Sequence, residues 1–281
     1  MVVYRVVIAV ILAILFVTPV GAEDAKNKGL FISPLRKDTQ LNAGIPKADY
    51  FTIGNLTEKP MTVNLSVKEF SVSDFAYDYK FASPQNDWVK LGATSATLQP
   101  NERKQIWYEI VVPPKTAPGG HYFTIFASAN LSEGGLPGTV QAATLIYLTV
   151  DGKLIRTSVL QNDSIPWFVM GREVPYKFDV KDTGNVHFSA YFFGQLQSIF
   201  GEQPEVGATH LLMPGAVRTI EGSIPTPLLP GIYSATYGYK VDFADIITAK
   251  TTYIVFVPPW SVAAAVFLLI GGRWWWQKKR K

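Results

Sequence analysis

Hydrophobic and polar positions alternate along much of this chain. From Met61 to Lys68, the residues Met61, Val63, Leu65 and Val67 fall on one side and Thr62, Asn64, Ser66 and Lys68 on the other, the period-two signature of a half-buried strand. Lys104 to Val112 does the same with Ile106, Tyr108, Ile110 and Val112. Continuous apolar runs at Tyr122 to Ala127 and Leu145 to Val150 predict further strands. Before Trp260 no stretch carries helical periodicity.

The landmarks between these strands recur in order. Asn55 to Pro60, Leu98 to Glu102 and Pro118 to Tyr122 each precede a strand in the first half. Asp182 to Asn185, Leu212 to Gly215 and Pro230 to Tyr233 precede Val186 to Phe193, Val217 to Ile224 and Ser234 to Val241 in the second. Such Asn, Gly and Pro-Gly positions preset the backbone of tight turns, and their repetition predicts two copies of one unit. The predicted fold is therefore all-β: two tandem immunoglobulin-like sandwiches, residues 23–155 and 156–257, divided near Asp151 to Pro166. Tyr122 and Tyr233 each follow a Pro-Gly turn at a strand start, so both are expected to be structural, as in a tyrosine corner.

The ends follow different rules. Residues 1–22 read as a secretory signal, with Arg5, an apolar run from Val6 to Val17, Pro19 and a small-residue site at Val20 and Ala22. An uncleaved anchor is the competing reading, but the apolar run is short. At the other end, residues 258–276 are predicted to form a transmembrane helix followed by a basic cytoplasmic tail, 277–281. Trp260 to Trp276 would span about 26 Å as a helix, Trp260, Trp274, Trp275 and Trp276 suit the interfacial belts, and Arg273 can snorkel. A last strand with a disordered tail would leave three tryptophans beside four cations in water. No Leu-Pro-x-Thr-Gly motif precedes the segment, and a removable lipid-anchor signal would end apolar rather than basic.

Composition then narrows the function. The formal charge is +4, yet without Arg5 and the five cations from Arg273 onward, 20 Lys plus Arg face 22 Asp plus Glu. The exported part is mildly acidic, which argues against nucleic acid as a partner. No cysteine occurs in the 281 residues, which excludes disulfides and thiolate metal sites.

Catalytic motifs are missing as well. His121, His187 and His210 are the only histidines and form no short-spaced pair, so neither a metal nor a cofactor is expected. There is no Gly-x-Ser-x-Gly elbow, phosphate loop or dinucleotide fingerprint. Ser71 to Asp78 alternates oxygen-bearing side chains but lacks the glycine and terminal glutamate of a calcium loop. The same stretch opens the most aromatic irregular segment of the first half, with Tyr77, Tyr79, Phe81 and Trp88. Flat rings beside polar groups suit saccharides or protein partners, so Trp88, Tyr77 and Tyr79 are the candidate ligand-binding residues; the competing reading has Trp88 capping the core. Sequons stand at Asn55, Asn64, Asn130 and Asn162.

With these residues placed, the chain resembles the bacterial WxL-interacting proteins. The resemblance rests on Ile32-Ser33-Pro34, Asn55 with Pro60 to Val63, Trp88-Val89, Leu98 with Pro100, and above all Val112-Pro113 through Ala117 to Tyr122. It implies a peptidoglycan-binding-type first domain, a second immunoglobulin-like domain, a single span and extracellular domains.

Three functions compete. One is a non-catalytic surface protein bound to peptidoglycan or another surface protein, which predicts an exposed aromatic patch. A stalk or accessory subunit of an envelope complex is the alternative. A glycan hydrolase would need two carboxylates converging in a pocket.

Overall fold

The computed structural model describes residues 29–133, 136–198, 201–241 and 246–279. The predicted signal, residues 1–22, lies outside them, as do the last two tail residues.

The first sandwich is built from β1 (Leu30–Ser33), β2 (Arg36–Leu41), β3 (Lys47–Asn55), β4 (Met61–Val72), β5 (Tyr79–Ala82), β6 (Val89–Leu91), β7 (Ser95–Leu98), β8 (Arg103–Ile110), β9 (Gly119–Glu133) and β10 (Leu136–Val150). One sheet runs β1-β3-β8-β6 and the other β2-β10-β9-β4-β5, with β7 also on β4. The alternation read from the sequence sets what lies between them. Met61, Val63 and Leu65 on β4 and Ile106, Tyr108 and Ile110 on β8 all point inward and are buried, each fully buried large side chain contributing about 1.5–3 kcal/mol.

Further along β4 the parity reverses. Phe70 shares the outer face with Thr62, Asn64 and Ser66, yet it is as buried as the core. Something beyond the sheet covers it.

The second sandwich pairs the sheet β11 (Ser158–Ser164), β13 (Glu173–Asp182), β17 (Val217–Pro225) with a second one. That sheet is ordered β12 (Phe168–Val169), β19 (Ile246–Phe256), β18 (Gly231–Val241), β14 (Phe188–Ser198), β15 (Gly201–Glu202), with β16 (Val206–Leu212) also on β14. The repeat is visible in the pairing: in each half a short early strand joins the last strand in parallel, β2 on β10 and β12 on β19, whereas the other strand pairs are antiparallel. Tyr233 donates to the carbonyl of Leu229 at 2.8 Å, tying a strand start to the turn before it as a tyrosine corner does. Asn55 is also internal: its amide donates to the carbonyls of Lys59, Leu98 and Gln99 and accepts from Thr57, which consumes the first sequon's side chain in holding a turn.

The C-terminal segment corrects an expectation. It forms one helix, α1 (Pro259–Lys279), containing Trp260, Arg273, Trp274, Trp275 and Trp276, and none of its residues is buried. Among the described residues, however, no helix is long and apolar enough to cross a membrane. The physical reason is the shortness of the apolar run: Ser261 to Ile270 is ten residues, about 15 Å of helix, after which Gly271, Gly272 and Arg273 interrupt it.

Candidate functional site

The aromatic segment singled out in the sequence is a loop that docks the first sandwich onto the second. Residues 73–78 leave β4 and reach the edge strand β17. There Phe75 N–H donates to the carbonyl of Val217 at 2.7 Å, and Thr219 N–H donates to the carbonyl of Phe75 at 3.2 Å, so the loop adds a short parallel bridge to the second domain's sheet. Asp74 accepts from Val217 N–H at 2.8 Å, and the Tyr77 hydroxyl accepts from Met213 N–H at 2.5 Å. Phe75 and Tyr77 adopt φ of 65° and 62°, a region bulky residues avoid, at a cost on the order of 1 kcal/mol or more each. The bonds across the junction hold them there.

A second contact lies beside the first. Asn185 accepts from Ile155 N–H and donates to the carbonyls of Pro118 and Lys153. His187 N–H donates to the Tyr122 hydroxyl at 3.1 Å, which in turn stands 3.2 Å from His187 Nδ1. Burial holds His187 below the usual histidine range, against the pull of Asp38, so the neutral ring accepts from Tyr122 at Nδ1 and turns its Nε2–H toward Asp38, 3.5 Å away. Through these bonds Tyr122 ties the two domains together rather than closing a corner within its own.

Phe70, Tyr147 and Met213 form a small core at this junction, with Tyr77 and Tyr122 packed against it. That is what buries Phe70 on the outer face of β4.

A cleft of about 500 Å³ opens next to this core, lined by Arg36, Tyr79, Tyr147, His210 and Arg218 among others. Arg36 grips Asp38 with two bonds of 2.7 and 2.9 Å, and its guanidinium lies 4.0 Å above the Tyr147 ring. Arg218 donates to the carbonyl of Leu211 and covers the Tyr77 ring at 4.4 Å. Burial raises the hydroxyls of Tyr77 and Tyr147 well above the ordinary tyrosine range, so both remain protonated. Burial also lowers His210, with Arg218 adding to the shift. Neither an aspartate nor a glutamate lines the cleft.

The wall continues outward as a platform of rings. Tyr79 bonds Tyr147 through their hydroxyls at 3.1 Å, then lies nearly parallel to Phe81, interplanar angle 20° and centroids 6.2 Å apart. Phe81 rests edge-on against Phe126 at 4.9 Å. Tyr79 and Phe81 are each nearly half exposed, on a four-residue edge strand whose residues all face solvent.

Of the predicted ligand-binding residues, Tyr77 and Tyr79 line the cleft and Trp88 does not. Trp88 is buried inside the first sandwich, edge-on to His121 at 4.6 Å and packed on Phe123, so it presents no free face. Position explains this: Trp88 immediately precedes inward-facing Val89 on β6 and closes the end of the core. Arg36, Tyr147, His187 and Arg218 were not singled out from sequence. The signal available was parity, because Phe70, Tyr147 and Phe126 are aromatic at outward positions of their strands. Among the described residues no group of three or more His, Asp or Glu could hold a metal ion.

No protein-family model matches the chain, and no curated protein matches it. Among solved structures it is similar to the class 5 fimbriae chaperone CfaA, with 10% identity over 81% of this chain and 99% of that chain and a TM-score of 0.45. It is also similar to the CsuC–CsuE chaperone–tip adhesion subunit pre-assembly complex of Acinetobacter baumannii, with 10% identity over 81% and 99% and a TM-score of 0.41. The E. coli chaperone DraB is similar at 10% identity over 82% and 97%, TM-score 0.36.

Proposed function

We propose that this chain is a non-catalytic extracellular binding protein that holds an anionic cell-wall glycan, of the peptidoglycan type, along the Tyr79–Phe81 platform and in the adjoining cleft. One observation carries the reading: exposed, nearly parallel rings run directly into a cleft lined by the Arg218 guanidinium, with Arg36 beside it paired to Asp38. Rings pack on the apolar faces of sugars, and guanidinium groups bind carboxylates; Arg36 already spends its paired bonds on Asp38, so Arg218, with one bond to the Leu211 carbonyl, is the group that meets a ligand's carboxylate. A glycan that bears carboxylates presents both features. The resemblance to the WxL-interacting proteins points the same way.

The test is co-sedimentation of the chain with purified insoluble peptidoglycan. Phe81→Ala and Tyr79→Ala are each expected to weaken capture at least about fivefold, the equivalent of about 1 kcal/mol for a lost aromatic contact. Trp107→Ala, at an exposed ring on the opposite sheet of the same domain, is expected to leave capture unchanged. Absence of capture by the unmodified chain overturns the glycan reading.

The docking loop favours a second reading. A junction bonded through Asp74, Phe75, Tyr77 and Tyr122 joins the sandwiches as a stalk or accessory subunit of an envelope complex would require. That reading gains if peptidoglycan is not captured while a surface protein is.

A further inference from the structure

The end of the second sandwich from which α1 issues is unusually apolar. Trp167 is 74% exposed, Leu228 86% and Ile232 69%, with Phe168, Met170 and Leu229 also exposed. They come from two segments, residues 167–170 and 228–232, and the hydrogen bonding brings them together. Phe168 stands opposite Val255 in the β12–β19 register, and Val255 stands opposite Ile232 in the β19–β18 register, so these three share one face of the sheet. Thr226 bonds the carbonyls of Arg172 and Gly171, which fastens the turn bearing Leu228 and Leu229 beside the segment bearing Met170. Val257 N–H donates to the carbonyl of Val169, and two residues later α1 begins.

Isolated exposed leucines need no explanation, but a cluster from two segments far apart in the chain is more than scatter. Along the chain it is followed by a second uncovered apolar surface, since Val262, Val266 and Phe267 to Ile270 on α1 are all exposed. The helix carries tryptophans at both ends of that run, and the chain finishes with Lys278-Lys279-Arg280-Lys281. An exposed apolar run bordered by aromatic rings and followed by cations suits the boundary layer of an anionic bilayer.

We infer that the helix-proximal end of the second sandwich is a membrane-seating surface, with Trp167, Leu228 and Ile232 resting in the interfacial layer of an anionic bilayer. The helix and the domain end both contact the lipid. The inference uses none of the residues of the glycan cleft, so either reading can fail without the other.

Because the chain has no cysteine, single labels report position without background. Leu228→Cys and, on exposed Gln105 of the first domain, Gln105→Cys are labelled with an environment-sensitive dye in the full chain. Each is mixed with vesicles of phosphatidylcholine containing about a quarter phosphatidylglycerol. The Leu228 label is expected to brighten at least about twofold and shift to the blue, as groups buried at the headgroup boundary do; the Gln105 label does not change. Trp167→Ser combined with Leu228→Ser is expected to reduce vesicle capture several-fold. A Leu228 label that stays in water while the protein floats with the vesicles overturns the inference, because the helix alone then holds it. Brightening that grows with protein concentration without vesicles overturns it in favour of a second copy of the chain.

Discussion

Trp88→Ala is expected to lower the stability of the first sandwich by about 3–5 kcal/mol, the range for truncating a buried tryptophan, and to lower glycan capture only through the loss of folded protein. The indole fills the end of the core between His121 and Phe123, and a neighbouring shell of β-sheet side chains cannot collapse into that volume. Burial now holds His121 below the usual histidine range. Opening the cavity beside it admits water and raises the His121 pKa toward its ordinary value, a change that NMR titration of the ring reads directly. Urea unfolding of the full chain gives the stability loss, and Trp88→Phe should recover much of it. Phe81→Ala should behave in the opposite way, with unfolding nearly unchanged and capture reduced. If Trp88→Ala unfolds like the parent and yet loses capture, the indole belongs to the binding surface and its assignment to the core is wrong.

The contrast between these two positions shows what period-two reasoning can see. Alternation over Met61 to Lys68 placed β4 because one buried face imposes one parity, and the paired turn signals separated two sandwiches because each copy must close its own hairpins. The same logic could not place Trp88, since a ring in an irregular segment has no parity to read. Nor could it show the junction: Tyr122 bonds His187 and Tyr77 bonds Met213 across 65 and 136 residues, and such contacts leave no mark in a local window. What did leave a mark was the breach of the pattern. Phe70 stands at a polar-parity position of β4, and the structure shows the reason in the second domain's Met213 and the Tyr147 ring that cover it. At the C terminus, tryptophans and cations were read as the borders of a span. The helix is there, but Gly271, Gly272 and Arg273 cut short its apolar run.

Asp182 should make stability fall as pH rises. Its carboxyl is wholly buried at the end of β13, where Oδ1 accepts from Gly184 N–H at 2.7 Å and Oδ2 has no hydrogen-bond partner. Burial, only partly offset by the Gly184 bond, pushes its pKa from 3.8 up to about 7. The folded chain therefore keeps the proton to about pH 7, while the unfolded chain releases it near pH 3.8. Between these values the folded state binds more protons than the unfolded state, so stability declines with each unit of pH and is flat above 7. A shift of roughly three units at about 1.4 kcal/mol each sets the full loss on the order of 4 kcal/mol. The histidines act in the reverse direction: burial lowers His121, His187 and His210 from 6.5, so they withdraw stability as pH falls below that value. Comparing the parent with Asp182→Asn cancels their contribution, because both chains carry it. The amide keeps an acceptor for Gly184 and cannot ionise. The variant is thus expected to gain on the parent steadily from pH 4 to pH 7, reaching several kcal/mol, with no further gain above. Denaturant unfolding of the two chains at matched pH measures the gap. A gap that stays constant across this range would mean that Asp182 is ionised in the folded state even at low pH, held by a partner for the Oδ2 atom.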